Sequence, residues 1–139
     1  VLELGQGAFC GDIGLISVSF SKQLTLIGDA AFEACSALED VAMPDTVTKI
    51  GNYAFRECWA LTKLTLPSGL TEIGQYAFQS TPIVDFYFPK DLELLYFDID
   101  DFHNSMETIT IHTVPGSWAD IRFDETFKAN YINFEKSYN

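Results

Sequence analysis

Asp98, Asp100, Asp101 and Asn104 gather four oxygen-bearing side chains into one short stretch, the kind of ligand that calcium takes. The stretch lacks the glycine and the distal glutamate of an EF-hand loop, so it reads as a solvated acidic turn rather than a metal site. His103 and His112 are the only imidazoles. No Gly-x-Ser-x-Gly, His-Glu-x-x-His or phosphate-cradling glycine loop accompanies them. Cys35 and Cys58 stand 23 residues apart without a CxxC spacing or a nearby histidine. They read as small buried fillers stacked one above the other, not as a disulfide or metal pair. The chain is therefore expected to be no enzyme and to carry no cofactor and no metal.

What remains is binding chemistry. Two columns of outward side chains suggest themselves, Ser17, Asp40, Lys63, Asp85 and Thr108 in the first, Ser19, Ala42, Thr65, Tyr87 and Thr110 in the second. Asp40, Lys63, Asp85, Tyr87 and Thr65 form the candidate binding set. Tyr87 is its anchor, since tyrosine combines contact area with a polar tip. Lys63 is expected within salt-bridge reach of Asp40 or Asp85, and the competing expectation for the whole face is a plain solvated surface. Tyr53, Tyr76 and Trp59 lie off these columns. They make either an exposed aromatic patch or lateral packing.

These columns exist only because the chain repeats. IGDAAFEACSALEDVAMPDTVTK is followed by IGNYAFRECWALTKLTLPSGLTE, and ten apolar, glycine, cysteine or proline positions match at a spacing of 23. Such a period marks a stacked repeat. Val1, Leu4, Phe9, Leu15 and Val18 extend the phase upstream; Ile73, Gly74, Ala77 and Phe78 extend it downstream. One residue is then lost, placing Phe86 and Phe88 at 22, and Met106, Ile109 and Ile111 restore 23. Phe9, Phe32, Phe55 and Phe78 should stack as one core column. Within a coil, Leu61-x-x-Leu64-x-Leu66-Pro67 alternates as a short strand, and Leu70-x-x-Ile73-Gly74 is a second extended piece. The glycine would permit the turn that follows, and Tyr76-Ala77-Phe78 a single helical or 3₁₀ turn.

The phase decays after Leu94. Asp100 stands at the core phenylalanine position, with Ile99 or Phe102 as substitutes. Ser117 with Asp120 makes a weak capping box, predicting a short helix whose Trp118, Ile121, Phe123 and Phe127 cover the last coil. Val1 already holds a core phase. The chain is thus expected to be a C-terminal part of a longer solenoid, or to associate end to end through an open first coil.

Composition narrows the partners. The 139 residues are 47% apolar with 12 phenylalanines, as a packed domain requires, and the formal net charge is −12 with only eight lysines and arginines. That charge argues against nucleic acid and against anionic membrane surfaces. No apolar run is long enough to span a bilayer, and no signal-peptide pattern is present.

The recurring IGxxAFxxC, followed by LxxLxLP and VxxIG in fixed phase over about residues 1–112, resembles the BspA-like leucine-rich repeats of bacterial surface proteins. The resemblance implies an α/β class fold: a right-handed leucine-rich-repeat solenoid of about five 23-residue coils, with a parallel sheet on one side and short helical turns. The expected division is a solenoid over 1–112, degenerate from about 95, and a C-terminal cap over 113–139. Members are secreted or held at the cell surface, and several act in adhesion. The implied function is a non-enzymatic cell-surface or secreted module binding a protein ligand, such as a host extracellular or surface protein. A structural spacer of a larger surface protein and a carbohydrate-binding surface are the alternatives.

Overall fold

A computed structural model describes residues 2–95, 109–126 and 134–138. In chain order its elements are β1 (Leu2–Leu4), β2 (Ser17–Ser19), β3 (Leu24–Ile27), β4 (Asp40–Ala42), β5 (Lys49–Ile50), β6 (Lys63–Thr65), β7 (Glu72–Ile73), β8 (Asp85–Tyr87), β9 (Ile109–Thr113), α1 (Trp118–Thr126) and β10 (Phe134–Tyr138). Every pairing is parallel. β1, β3, β5 and β7 form one row, β6, β8, β9 and β10 a second, and β2 with β4 a separate pair. The chain visits one row, turns and visits the other once per repeat, giving a parallel solenoid of about five turns with little helix. Ile27 pairs with Ile50 and Ile50 with Ile73, which is the period of 23; Leu64 pairs with Phe86, which is the expected 22.

The core is built by stacking like on like. Phe9, Phe32, Phe55 and Phe78 follow one another with ring centroids 5.4, 5.2 and 5.8 Å apart and planes within 12° of parallel. Beside them Ile27, Ile50 and Ile73, and Ala31, Ala54 and Ala77, are fully buried. No single coil could bury its own apolar face; the stack buries it between neighbours.

The segment between the strand rows is not helical. Ala30, Ala34, Tyr53, Glu57, Tyr76 and Ser80 have φ between 53° and 60°, and Gly7 and Gly11 hold the same two phases in the first coil. Each coil thus runs through consecutive β-turns rather than the expected helical turn. The reason lies in the neighbouring coil. The amides of Ala30, Phe32 and Ala34 reach the carbonyls of Asn52, Ala54 and Arg56, all at 2.8 Å, and the next coil repeats the pattern. A helical turn would spend those amides within its own coil; the turn chain leaves them for the stack.

The repeated glycines have a different cause from the one the turn suggested. Gly28, Gly51 and Gly74 do not sit at positive φ. A Cβ on Gly28 would stand 2.6 Å from the Leu4 carbonyl oxygen, and one on Gly51 2.5 Å from the Asp29 nitrogen. Glycine is required because backbone passes over backbone there.

Polar ladders fix the stack from outside. The Thr48 and Thr71 hydroxyls donate to the carbonyls of Thr25 and Thr48. Asp29 accepts the Asn52 amide and Asn52 accepts the Gln75 amide, at 2.9 and 2.8 Å. Cys35 and Cys58 are free and buried, and their thiols donate to the carbonyls of Phe9 and Phe32 in the preceding coil.

At the far end Ser117 Oγ accepts the Asp120 amide and Asp120 accepts the Gly116 amide, capping α1 as its sequence suggests. Ala119 is buried and Trp118 packs on the core, but Ile121 is 52% exposed, so Ile121 is not part of the cover. Ala119, on the opposite face of the helix, is the buried one. Lys136 on β10 bonds the Asp120 carbonyl and carboxylate, tying the helix to the sheet. Ile99, Asp100, Phe102, Met106 and Phe127, named for the decayed coil and its cover, lie outside the described residues, as does the side chain of Phe123.

Candidate functional site

The outward side chains of β6, β8 and β9 form one face. Lys63 pairs in register with Asp85 and Thr65 with Tyr87. The next step is not the expected one. Asp85 pairs with Thr110 and Tyr87 with His112, a spacing of 25, so Thr110 joins the first column and His112, unassigned from the sequence, joins the second. His112 Nε2 lies 2.7 Å from Asp85 Oδ1, and its ring stacks on Tyr87 at 4.1 Å with planes 4° apart. Thr108 lies outside the described residues. The slip escapes a pattern reading because Ile109 and Ile111 both face inward, and moving a strand by two residues keeps every side chain on its own face.

The columns are also interrupted. Ser17 pairs with Asp40 and Ser19 with Ala42, yet β4 and β6 are not paired with each other. A cleft of about 470 Å³ opens at this break, lined among others by Asp40, Met43, Asp45, Lys63, Thr65 and Tyr87. Four of the five candidate residues therefore meet at one cleft; Asp85 does not line it.

The expected ion pair does not form. Among the described residues Lys63 has no carboxylate within 4.0 Å, whereas Lys49 pairs with Glu72 at 3.2 Å and Arg56 with Glu33 at 3.0 Å. The break separates Lys63 from Asp40, and His112 occupies Asp85. Asp45, on the cleft wall, accepts the Ser68 amide at 2.9 Å. That bond, and then the Ser68 hydroxyl, hold its carboxyl below the usual range.

The aromatic patch is a stack. Tyr53 and Tyr76 lie one over the other at 5.7 Å, with the Arg56 guanidinium 5.2 Å from the Tyr53 ring centre. Stacked rings cover each other's faces and present edges outward, which is a poor platform for a sugar ring. Trp59 stands apart and 59% exposed. The acidic turn Asp98–Asn104 and His103 lie outside the described residues. Among the described residues no three His, Cys, Asp or Glu side chains group to hold a metal, and no helix is long and apolar enough to cross a membrane.

Stacked 23-residue coils with parallel strand rows, a phenylalanine column and a side-chain-lined sheet face define a leucine-rich-repeat protein. A family model described as BspA type leucine rich repeat region matches residues 1–108 in six copies, and the chain belongs to that family. Among solved structures it is similar to a Treponema pallidum (T. pallidum) leucine-rich repeat protein, with a TM-score of 0.71 and 28% identity over 81% of this chain and 52% of that one. It is also similar to a leucine-rich repeat protein from Bacteroides ovatus, with a TM-score of 0.64 and 27% identity over 81% of this chain and 35% of that one. The chain thus spans about half of the first and about a third of the second. No curated protein matches it in sequence.

Proposed function

We propose that this chain is a non-enzymatic protein-binding module of the adhesion type, acting outside the cell or at its surface, and that its outward sheet face holds the ligand. The observation that carries this reading is the cleft at the broken ladder, where Asp40, Lys63, Thr65 and Tyr87 converge. A concave site with a few polar groups and an aromatic anchor suits a protein ligand. On another side of the coils the polar groups are committed to the stack: the Thr25–Thr48–Thr71 and Asp29–Asn52–Gln75 ladders bind coil to coil. Leucine-rich-repeat domains often mediate protein interaction, and this family is typically associated with bacterial surfaces. Both agree with the reading.

Surface plasmon resonance of the immobilised chain against host extracellular proteins tests it. The unsubstituted chain should retain at least one such protein, and Thr65→Arg with Tyr87→Ala should weaken it about tenfold or more, as removal of a central contact does. Equal retention by both forms would move the binding surface elsewhere.

A further inference from the structure

The break between β4 and β6 exposes main chain as well as side chains. Glu39 donates its amide to the Ile16 carbonyl at 2.8 Å, so the alternate residues Asp40 and Ala42 turn their amides and carbonyls the other way, toward β6. On β6, Val84 takes the Thr62 carbonyl and Leu66 donates to Tyr87, so Lys63 and Thr65 turn theirs back toward β4. Among the described residues no backbone bond joins these two rows. All four residues are exposed. Open rows of strand N–H and C=O groups are a template for another extended chain, which gains affinity through its own main chain.

Charge selects the kind of chain. The cleft wall carries Asp40 and Asp45 against Lys63 alone, in a protein of net charge −12. Met43, Pro67, Tyr87 and Pro89 supply apolar surface beside them. Such a site attracts cations from a distance and disfavours an acidic segment at contact. The aliphatic stem of a lysine or arginine fits the apolar wall while its head meets the carboxylates.

We infer that this cleft receives an extended peptide segment bearing lysine or arginine, its main chain pairing with the open groups of Asp40, Ala42, Lys63 and Thr65 and its cation lying against Asp40 and Asp45. The inference rests on the reading of the sheet face as a protein-binding surface and names the chemistry of the ligand. Tyr87, held flat by His112, forms the wall on which the peptide side chains pack.

Fluorescence anisotropy with a labelled hexapeptide alternating valine and arginine, titrated with the whole chain, tests this. Binding should saturate and weaken with added salt. Asp40→Asn with Asp45→Asn should weaken it about tenfold, as should N-methylation of the peptide backbone. The same peptide with glutamate for arginine should not bind. Both substitutions keep side-chain shape, and an unchanged melting curve certifies the fold; should the double variant melt early, the exposed Asp40→Asn alone replaces it. Equal binding of the glutamate and arginine peptides, or no effect of the carboxylate substitutions, overturns the inference. If the peptide fails while a host protein is still held in a Thr65-dependent way, the inference falls and the reading of the face stands. If host-protein capture ignores Thr65→Arg with Tyr87→Ala, that reading falls too.

Discussion

His112 lies flat on Tyr87 across the β8–β9 pair, 4.1 Å between ring centres, and the same imidazole holds Asp85 at 2.7 Å. One side chain thereby packs against Tyr87 and engages Asp85, the register neighbour of Lys63. The stack joins β8 to β9.

His112→Ala should therefore cost about 1–2 kcal/mol, combining a ring stack and a side-chain hydrogen bond. Urea unfolding measures it. In that background Asp85 is released to its register neighbour Lys63, so Lys63→Met should matter more there than in the unsubstituted chain. An identical effect in both backgrounds would show that Asp85 is not shared.

Phe55 is fully buried between Phe32 and Phe78. Phe55→Ala should destabilise by about 3–5 kcal/mol, the range for truncating a buried phenylalanine. The stack gives the cavity two rigid walls that cannot close without moving a coil. A thermal or denaturant melt decides it.

Gly51→Ala and Ala34→Gly should act in opposite directions. The first puts a methyl 2.5 Å from the Asp29 nitrogen and 2.7 Å from the Gly28 carbonyl carbon, so coils must separate. A loss of about 2–3 kcal/mol is expected, as for other overpacking. The second relieves an alanine held at φ 59° and should stabilise by about 0.5–1 kcal/mol after the extra chain entropy of glycine is counted. Paired denaturant melts check both signs.

Burial, and after it the neighbouring Cys35, push the Cys58 thiol up to about 12 from its ordinary 9.0. The folded state thus prefers the protonated form. The associated stability is fully present below pH 9.0 and is lost as the pH rises toward 12, at about 1.4 kcal/mol per pH unit. The stability difference between the unsubstituted chain and Cys58→Ala should shrink across that window and stay constant below it. In native labelling near neutral pH, a thiol reagent should modify exposed Cys10 and spare Cys35 and Cys58.

Within the regular coils the sequence alone determined which residues face inward and how often. The 23-residue spacing of Phe9, Phe32, Phe55 and Phe78, the single lost residue before Phe86 and the capped helix after Ser117 are all present in the structure. Inward-facing apolar residues repeat with the coil because each must land on its counterpart, so periodicity reports them directly. Asp40, Lys63, Thr65 and Tyr87 were legible for the same reason, as the polar partners in the alternation.

Only the tertiary structure decided what those residues meet. The β9 register moved by two, which alternation cannot register, and so His112 rather than Thr110 came to rest on Tyr87. The glycines of the repeat answer to backbone in the preceding coil, and the left-handed turns answer to carbonyls in the following one. The break between β4 and β6 depends on how far apart two coils sit on one side while β3 and β5 remain paired on the other. Each is a distance between segments some 23 residues apart in sequence, set by the stack as a whole, and no single repeat encodes it.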